Sequence, residues 1–223
     1  MGLGNILQLT QVTLFVISFI FSFFIFLPLS FYSSDFNENC LLFANGKWSY
    51  DNSSSLVLSV DWGGEGTCQF PLVVGILILP ISFYCITSLG IYLYKGLDQT
   101  WLQSFVTLTI CCVVSFLLMV SGIVITAGFK QWCQLLNQKV QCDVGEFVPF
   151  IINDDPSINK EGFYVQMGIA QFGVWASWLC WLSLSVCATI KMYQFHRQED
   201  FFQSMHRERE RLVQRIGRTP QDI

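Results

Sequence analysis

Nine cysteines, two histidines and a single N-x-[ST] sequon are the side chains of this 223-residue chain whose chemistry could define a function. Cys40 and Cys68 fall in one polar segment, and Cys133 and Cys142 in another. Four such cysteines permit three pairings. We favour Cys40–Cys68 and Cys133–Cys142, because each bridge then closes a segment whose ends neighbouring helices already hold together. The other five, Cys85, Cys111, Cys112, Cys180 and Cys187, sit inside apolar runs, where an inert thiol is the main reading and palmitoylation near a membrane edge, as at Cys187, the minority one. Both histidines, His196 and His206, lie beyond the last apolar run, and no such run holds an Asp or Glu. Neither an intramembrane acid pair nor a histidine-based metal site can be assembled from them. Phosphate-binding glycine loops and nucleophile elbows are missing as well. The expectation is a protein that is not an enzyme, with no catalytic residue, no metal, no cofactor and no nucleic-acid partner. Asn52-Ser53-Ser54, the lone sequon, is expected to be glycosylated.

The elements that must position these residues are written in the distribution of charge. Residues 1–34, 66–94, 99–129 and 162–190 contain no Asp, Glu, Lys, Arg or His. Each exceeds the roughly 20 apolar residues that a helix needs to cross a bilayer. Charged residues make up 13% of the chain, about half the share of a soluble domain, so little of the surface is built to face water. The fold class expected is an all-α membrane protein, a four-helix transmembrane bundle. Its spans run over about 9–29, 70–94, 101–129 and 164–190, with outer loops 30–69 and 130–163 and a tail 191–223, all in one membrane domain. The N-terminal run lacks a Lys or Arg n-region and is longer than a signal-peptide core, so it reads as a retained helix. Ile6 stands where a myristoylation motif requires Ser or Thr.

Charge also orients the chain. In the first loop Lys47 stands against Asp35, Glu38, Asp51, Asp61 and Glu65, whereas the tail holds seven Lys and Arg, Lys191 to Arg218. The positive-inside rule counts those basic residues, so the tail is expected to be cytoplasmic and, after four crossings, the N-terminus too. Disulfide-forming cysteines and the sequon then share the oxidising side. The membrane is the plasma membrane or one along the secretory route.

Within this frame Pro28 is expected to end helix one, and Pro80 falls in mid-span of helix two. Cys40-Leu41-Leu42-Phe43 and 56–60 read as short strands flanking the turn-rich Asn45-Gly46 and Asp51-Asn52-Ser53, so the first loop is a disulfide-pinned hairpin or small sheet. Gly63, Gly64 and Gly66 supply a flexible descent into helix two. The six residues 95–100 force helices two and three into an antiparallel hairpin. Helix four carries Gly168, Gly173, Ala176 and Ser177 for close helix packing, with Gly173-x-x-x-Ser177 as a small-xxx-small pair directed first at another helix of the same bundle. Trp175, Trp178 and Trp181 line one side of it for packing or protein contact. In the tail, Phe201, Phe202, Met205, Leu212, Val213 and Ile216 form an apolar side among Arg and Glu. Two readings stay open there: a basic amphipathic helix on anionic lipid or a cytoplasmic partner, and a solvated extension of helix four.

Several segments resemble the transmembrane protein 179 family: Leu27-Pro28-Leu29-Ser30, Cys40-Leu41-Leu42-Phe43 with Gly46 and Trp48, Trp132-Cys133, the run Ala170-Gln171-Phe172-Gly173-Val174-Trp175-Ala176-Ser177-Trp178-Leu179, and Arg197-Gln198-Glu199-Asp200. The resemblance implies four-span architecture and supplies no active site. The layout is also similar to the claudin and channel gamma-subunit superfamily, whose Gly-Leu-Trp is echoed by Gly46-Lys47-Trp48. There two cysteines follow the tryptophan, whereas here one precedes it and the other comes twenty residues later. The spans lack the ionisable groups that ion paths, proton paths and voltage sensors require. The leading expectation is an accessory or interaction subunit packing laterally on another membrane protein, such as a channel or receptor, within the lipid bilayer. A homo-oligomeric passive channel and an adhesion protein acting through the first loop are the alternatives.

Overall fold

The computed structural model describes residues 3–50, 56–96, 100–145, 147–148, 150–153, 158 and 161–216, with side chains over all but 3–5, 198–204 and 211–216 of these. Four helices dominate it: α1 (Leu3–Asp35), α2 (Glu65–Lys95), α3 (Trp101–Leu136) and α4 (Phe163–Ile216). All four contain stretches long and apolar enough to cross a membrane. A three-stranded sheet of β1 (Cys40–Tyr50), β2 (Leu56–Gly63) and β3 (Ile151–Ile152), in that order, caps one end. The helical bundle with a small β-containing first loop anticipated from the sequence is therefore the architecture found.

Several element ends lie beyond the expected ones, for a common reason. Pro28 does not end α1, which continues for two further turns to Asp35. An internal proline costs a helix roughly 3 kcal/mol, but Leu29 and Tyr32 are then 3% and 1% exposed, and two such burials offset the cost. Likewise α3 passes residue 129 because Trp132, Leu135 and Leu136 bury against the cap. Gly63 and Gly66 are not a loose descent: Gly63 pairs with Cys40 in the sheet, and Gly66 is already helical. Nor do Asn45 and Gly46 turn the chain. They lie within β1, paired with Asp61 and Val60, and the irregularity falls between Cys40 and Asn45, where Phe43 takes a φ of 62°. A bulge of this kind bends the strand without ending it.

Helix ends at the opposite pole are capped locally. Gly96, at φ 63°, closes α2 by donating its backbone N–H to the carbonyls of Leu93 and Tyr92, and the Thr100 hydroxyl accepts from the Gln103 N–H to open α3. The Gln103 amide then donates to Ser88 Oγ at 2.8 Å, tying the α2–α3 hairpin shut at its base.

Packing is uneven. α1 lies along both α2 and α4, α3 lies along α4, and α2 and α3, although consecutive, touch least of these four pairs. The interior is solid: Phe15, Ile25, Leu118, Ile125, Val174 and Trp181 are each 0% exposed, and Phe15 meets Trp181 edge to face at 5.5 Å. α4 continues unbroken past Lys191 to Ile216. At 1.5 Å per residue a helix of this length runs about 80 Å, far more than the roughly 30 Å of hydrocarbon it could cross. Of the tail side chains, Met205 is half exposed and His206 lies 3.6 Å from Glu210 one turn on. Phe201, Phe202, Leu212, Val213 and Ile216 fall outside the described side chains.

Candidate functional site

The best-defined surface feature is the cap, which the chain builds from both loops and three helix ends. Cys40 at the start of β1 is bonded to Cys68 in the first turns of α2, with a Cα–Cα distance of 5.7 Å. Cys133 near the end of α3 is bonded to Cys142 in the second loop, at 5.1 Å. α1 is joined to the sheet by Tyr32. Its hydroxyl donates to the Asn39 carbonyl at 2.9 Å and accepts from the Leu41 N–H, and its ring packs on Phe36, which meets Trp62 edge to face.

The second loop joins the first where β3 pairs with β2, and one residue that sequence reading missed extends that pairing. Asn153, at φ 50°, donates its backbone N–H to the Leu58 carbonyl at 3.0 Å. Its side-chain Oδ1 accepts from the Val60 N–H at 2.6 Å, while Nδ2 donates to the Val60 carbonyl at 2.8 Å. The amide thus acts as one more rung of the β2–β3 ladder, and it does so because asparagine tolerates a left-handed backbone and carries a peptide-like group. Asn153→Ala should leave the Val60 backbone groups unpaired and release the loop. Faster amide exchange at Leu58 and Val60, with the helical amides unchanged, is the expected result; protection identical to wild type would contradict it.

Trp48 completes the joint. Its indole N–H donates to the Leu135 carbonyl at the last turn of α3 at 3.0 Å, its ring meets Phe150 edge to face at 5.3 Å, and Gln131 donates to Asn45 nearby. Gly128 lets α3 approach β1, since a Cβ there would stand 2.7 Å from Leu42 Cβ. On its outer surface the cap leaves Tyr50 and Phe147 69% and 77% exposed, with the Lys139 ammonium 6.0 Å above the Tyr50 ring. Asn52, the expected glycosylation site, lies outside the described residues.

On α4 the expected packing residues part company. Gly173 faces α1 so closely that a Cβ would meet Phe24 Cβ at 2.9 Å and its carbonyl oxygen at 3.1 Å. Ser177 is buried below it, and Ala176 is partly buried. Gly168 faces outward: it is exposed, and a Cβ there would meet nothing within 4 Å, so it packs on no other part of the described chain. The tryptophans spread across two seams because a three-residue step turns a helix by 300°. Trp175 donates to Thr126 Oγ1 on α3 at 3.2 Å, alongside Gln171 at 3.3 Å, Trp178 stands against Trp175, and Trp181 faces Phe15 on α1. Cys85 and Cys111 are buried, Cys112 is exposed, and Cys180 and Cys187 are intermediate. Among the described residues no group of three or more His, Cys, Asp or Glu side chains could hold a metal ion.

A packed bundle of four spans beneath a disulfide-stapled mixed sheet, antiparallel between β1 and β2 and parallel between β2 and β3, defines a claudin-like multi-pass membrane protein, one that sits in a lipid bilayer. The chain matches the Transmembrane protein 179/179B Claudin domain over residues 7–213, and it belongs to that family. No solved structure matches it. The family is one of membrane proteins and not a known enzyme family.

Proposed function

We propose that the protein is a non-catalytic accessory or interaction subunit that packs laterally on another membrane protein such as a channel or receptor. The observation that carries this reading is the close-packed interior: among the described residues Phe15, Leu118, Val174 and Trp181 are fully buried where the helices meet, which favours work done at the surfaces. Two surfaces are available. One is the lipid-facing side of α4 around Gly168, where a notch beside the exposed Val165 and Phe172 would admit a partner's helix. The other is the rigid cap with its exposed Tyr50 and Phe147.

In this reading the cap faces the lumen or cell exterior and both termini face the cytoplasm, as the basic tail and the disulfides favour. The tail offers its Arg- and Lys-bearing helix to anionic lipid or to a cytoplasmic partner. Purification from native membranes in mild detergent should recover a stoichiometric membrane protein, and Gly168→Leu should abolish that recovery while leaving the monomer folded. A monodisperse monomer with no such companion would end the proposal. Ring-shaped particles with ion or dye flux would favour the homo-oligomeric channel instead, and loss of cell aggregation on removal of Cys40 would favour adhesion. Asn52→Gln should remove one N-glycan and its gel shift. An unshifted band would place the cap on the unglycosylated side or leave the sequon unused.

A further inference from the structure

Between α2 and α3 the bundle leaves a crevice of about 220 Å³. Its walls are two apolar stripes, including Leu77, Ile78 and Ile81 on α2 and Ile110, Val113 and Leu117 on α3, each at the i, i+3, i+4, i+7 spacing with which helices ordinarily interlock. Here they stand apart. Ile78 is 1% exposed at the floor, while Leu77 and Val113, 49% and 53% exposed, form a mouth that opens sideways from the bundle. Thr109 at the rim spends its hydroxyl on the Phe105 carbonyl of its own helix at 3.0 Å. Nothing polar therefore looks into the crevice. It begins eight or more residues from either end of α2 and α3, or about 12 Å along a helix axis, which places its mouth in hydrocarbon rather than among headgroups.

We propose that this crevice is a binding site for a single lipid acyl chain, which completes the α2–α3 seam. Water is excluded as the occupant, because an apolar cavity offers it no hydrogen-bond partner. A partner's helix is excluded by size, since one turn of a helix about 10 Å across fills roughly 400 Å³. A dry cavity of about 150 Å³ takes up benzene, so by proportion this one holds roughly nine carbons, the middle stretch of one acyl chain. An empty crevice would instead forfeit dispersion contacts along both helices in a solvent made of such chains. The weak direct contact between α2 and α3 follows, because the seam is built with its third component supplied by the membrane.

The test uses the full-length protein in nanodiscs of phosphatidylcholine bearing a diazirine at mid-chain, with photolabelled peptides mapped by mass spectrometry. Labels should concentrate on 74–81 and 109–117, about tenfold over the more exposed Phe172 and Leu179 of α4, a ratio equal to one decade in affinity. Val113→Trp, which fills the mouth, should reduce that labelling about tenfold, and Val186→Trp on α4 should leave it unchanged. Ile81→Phe serves as a second filler should the tryptophan variant fail to remain monodisperse. Even labelling over all lipid-facing positions, labelling indifferent to both fillers, or displacement by cholesterol rather than by phospholipid would overturn the assignment. No partner protein enters the experiment, so its outcome is independent of the accessory-subunit reading.

Discussion

Serine at both Cys40 and Cys68 should cost the fold about 3–4 kcal/mol, the largest loss expected from any covalent change in this chain. The bridge spans a sequence separation of 28, and the chain-entropy model assigns a loop of that length about that much stabilisation. Cys133–Cys142 spans only 9, which the same logarithm makes worth about 1 kcal/mol less. Placement widens the difference. Cys40 opens β1 beside Leu41 and Leu42, both 0% exposed, and Cys68 anchors the first turns of α2 beneath them, so without the bridge the cap's core keeps its apolar contacts but loses its tether to the helix that follows it. In mild detergent the Cys40/Cys68 double variant should unfold at clearly lower temperature than the Cys133/Cys142 double variant, read by tryptophan fluorescence. Trp62, packed on Phe36 beside the bridge, should become exposed before the helices melt. Equal melting of the two variants would show that the cap is held by its packing alone.

The spans were legible because charge exclusion is a local property: a stretch without ionisable groups declares its solvent whatever it touches. The strands were legible in part, since 40–43 and 56–60 are short apolar runs set among turn-rich polar residues. What escaped reading was non-local. Asn153 is an unremarkable polar residue in a polar loop, and its role exists only because β2, 93 residues earlier, presents Val60 to it. The overrun of α1 past Pro28 and of α3 past Phe129 depended on partners likewise supplied by the sheet. On α4, spacing told that small residues and tryptophans would gather, but not which side each faced. Gly168 and Gly173 are five residues apart, about 140° around a helix, and that rotation separates an outward notch from an interhelical contact. The α2–α3 crevice had no sequence signal at all, because its two stripes are those of helices that close on each other.

Gly173 presents the second large effect, and its cause lies on another helix. Pro28 has no N–H to give the carbonyl four residues earlier, which is that of Phe24. In a bilayer no water replaces that lost bond. Gly173 of α4 stands against this same residue: a Cβ there would lie 2.9 Å from Phe24 Cβ, 3.0 Å from its carbonyl carbon and 3.1 Å from its carbonyl oxygen. A Cα–H···O contact between the two backbones, a weak bond that recurs where small residues let helices meet, would contribute about 0.5–1 kcal/mol. Gly173→Ala sets a methyl 2.9–3.1 Å from three atoms of Phe24, two of them backbone, so the seam must open, at a cost of about 1–3 kcal/mol. Gly173→Leu should prevent α1 from docking on α4, giving aggregation on size exclusion, whereas Gly168→Ala, with open space before it, should be silent. The role of the carbonyl is isolated by a double-mutant cycle. Pro28→Ala returns the N–H, satisfies Phe24 within α1, and should shrink the penalty of Gly173→Ala by about 0.5–1 kcal/mol. Strict additivity of the two substitutions would leave Gly173 as a steric notch and nothing more, and would remove the reason for a proline and a glycine to meet at this level of the bundle.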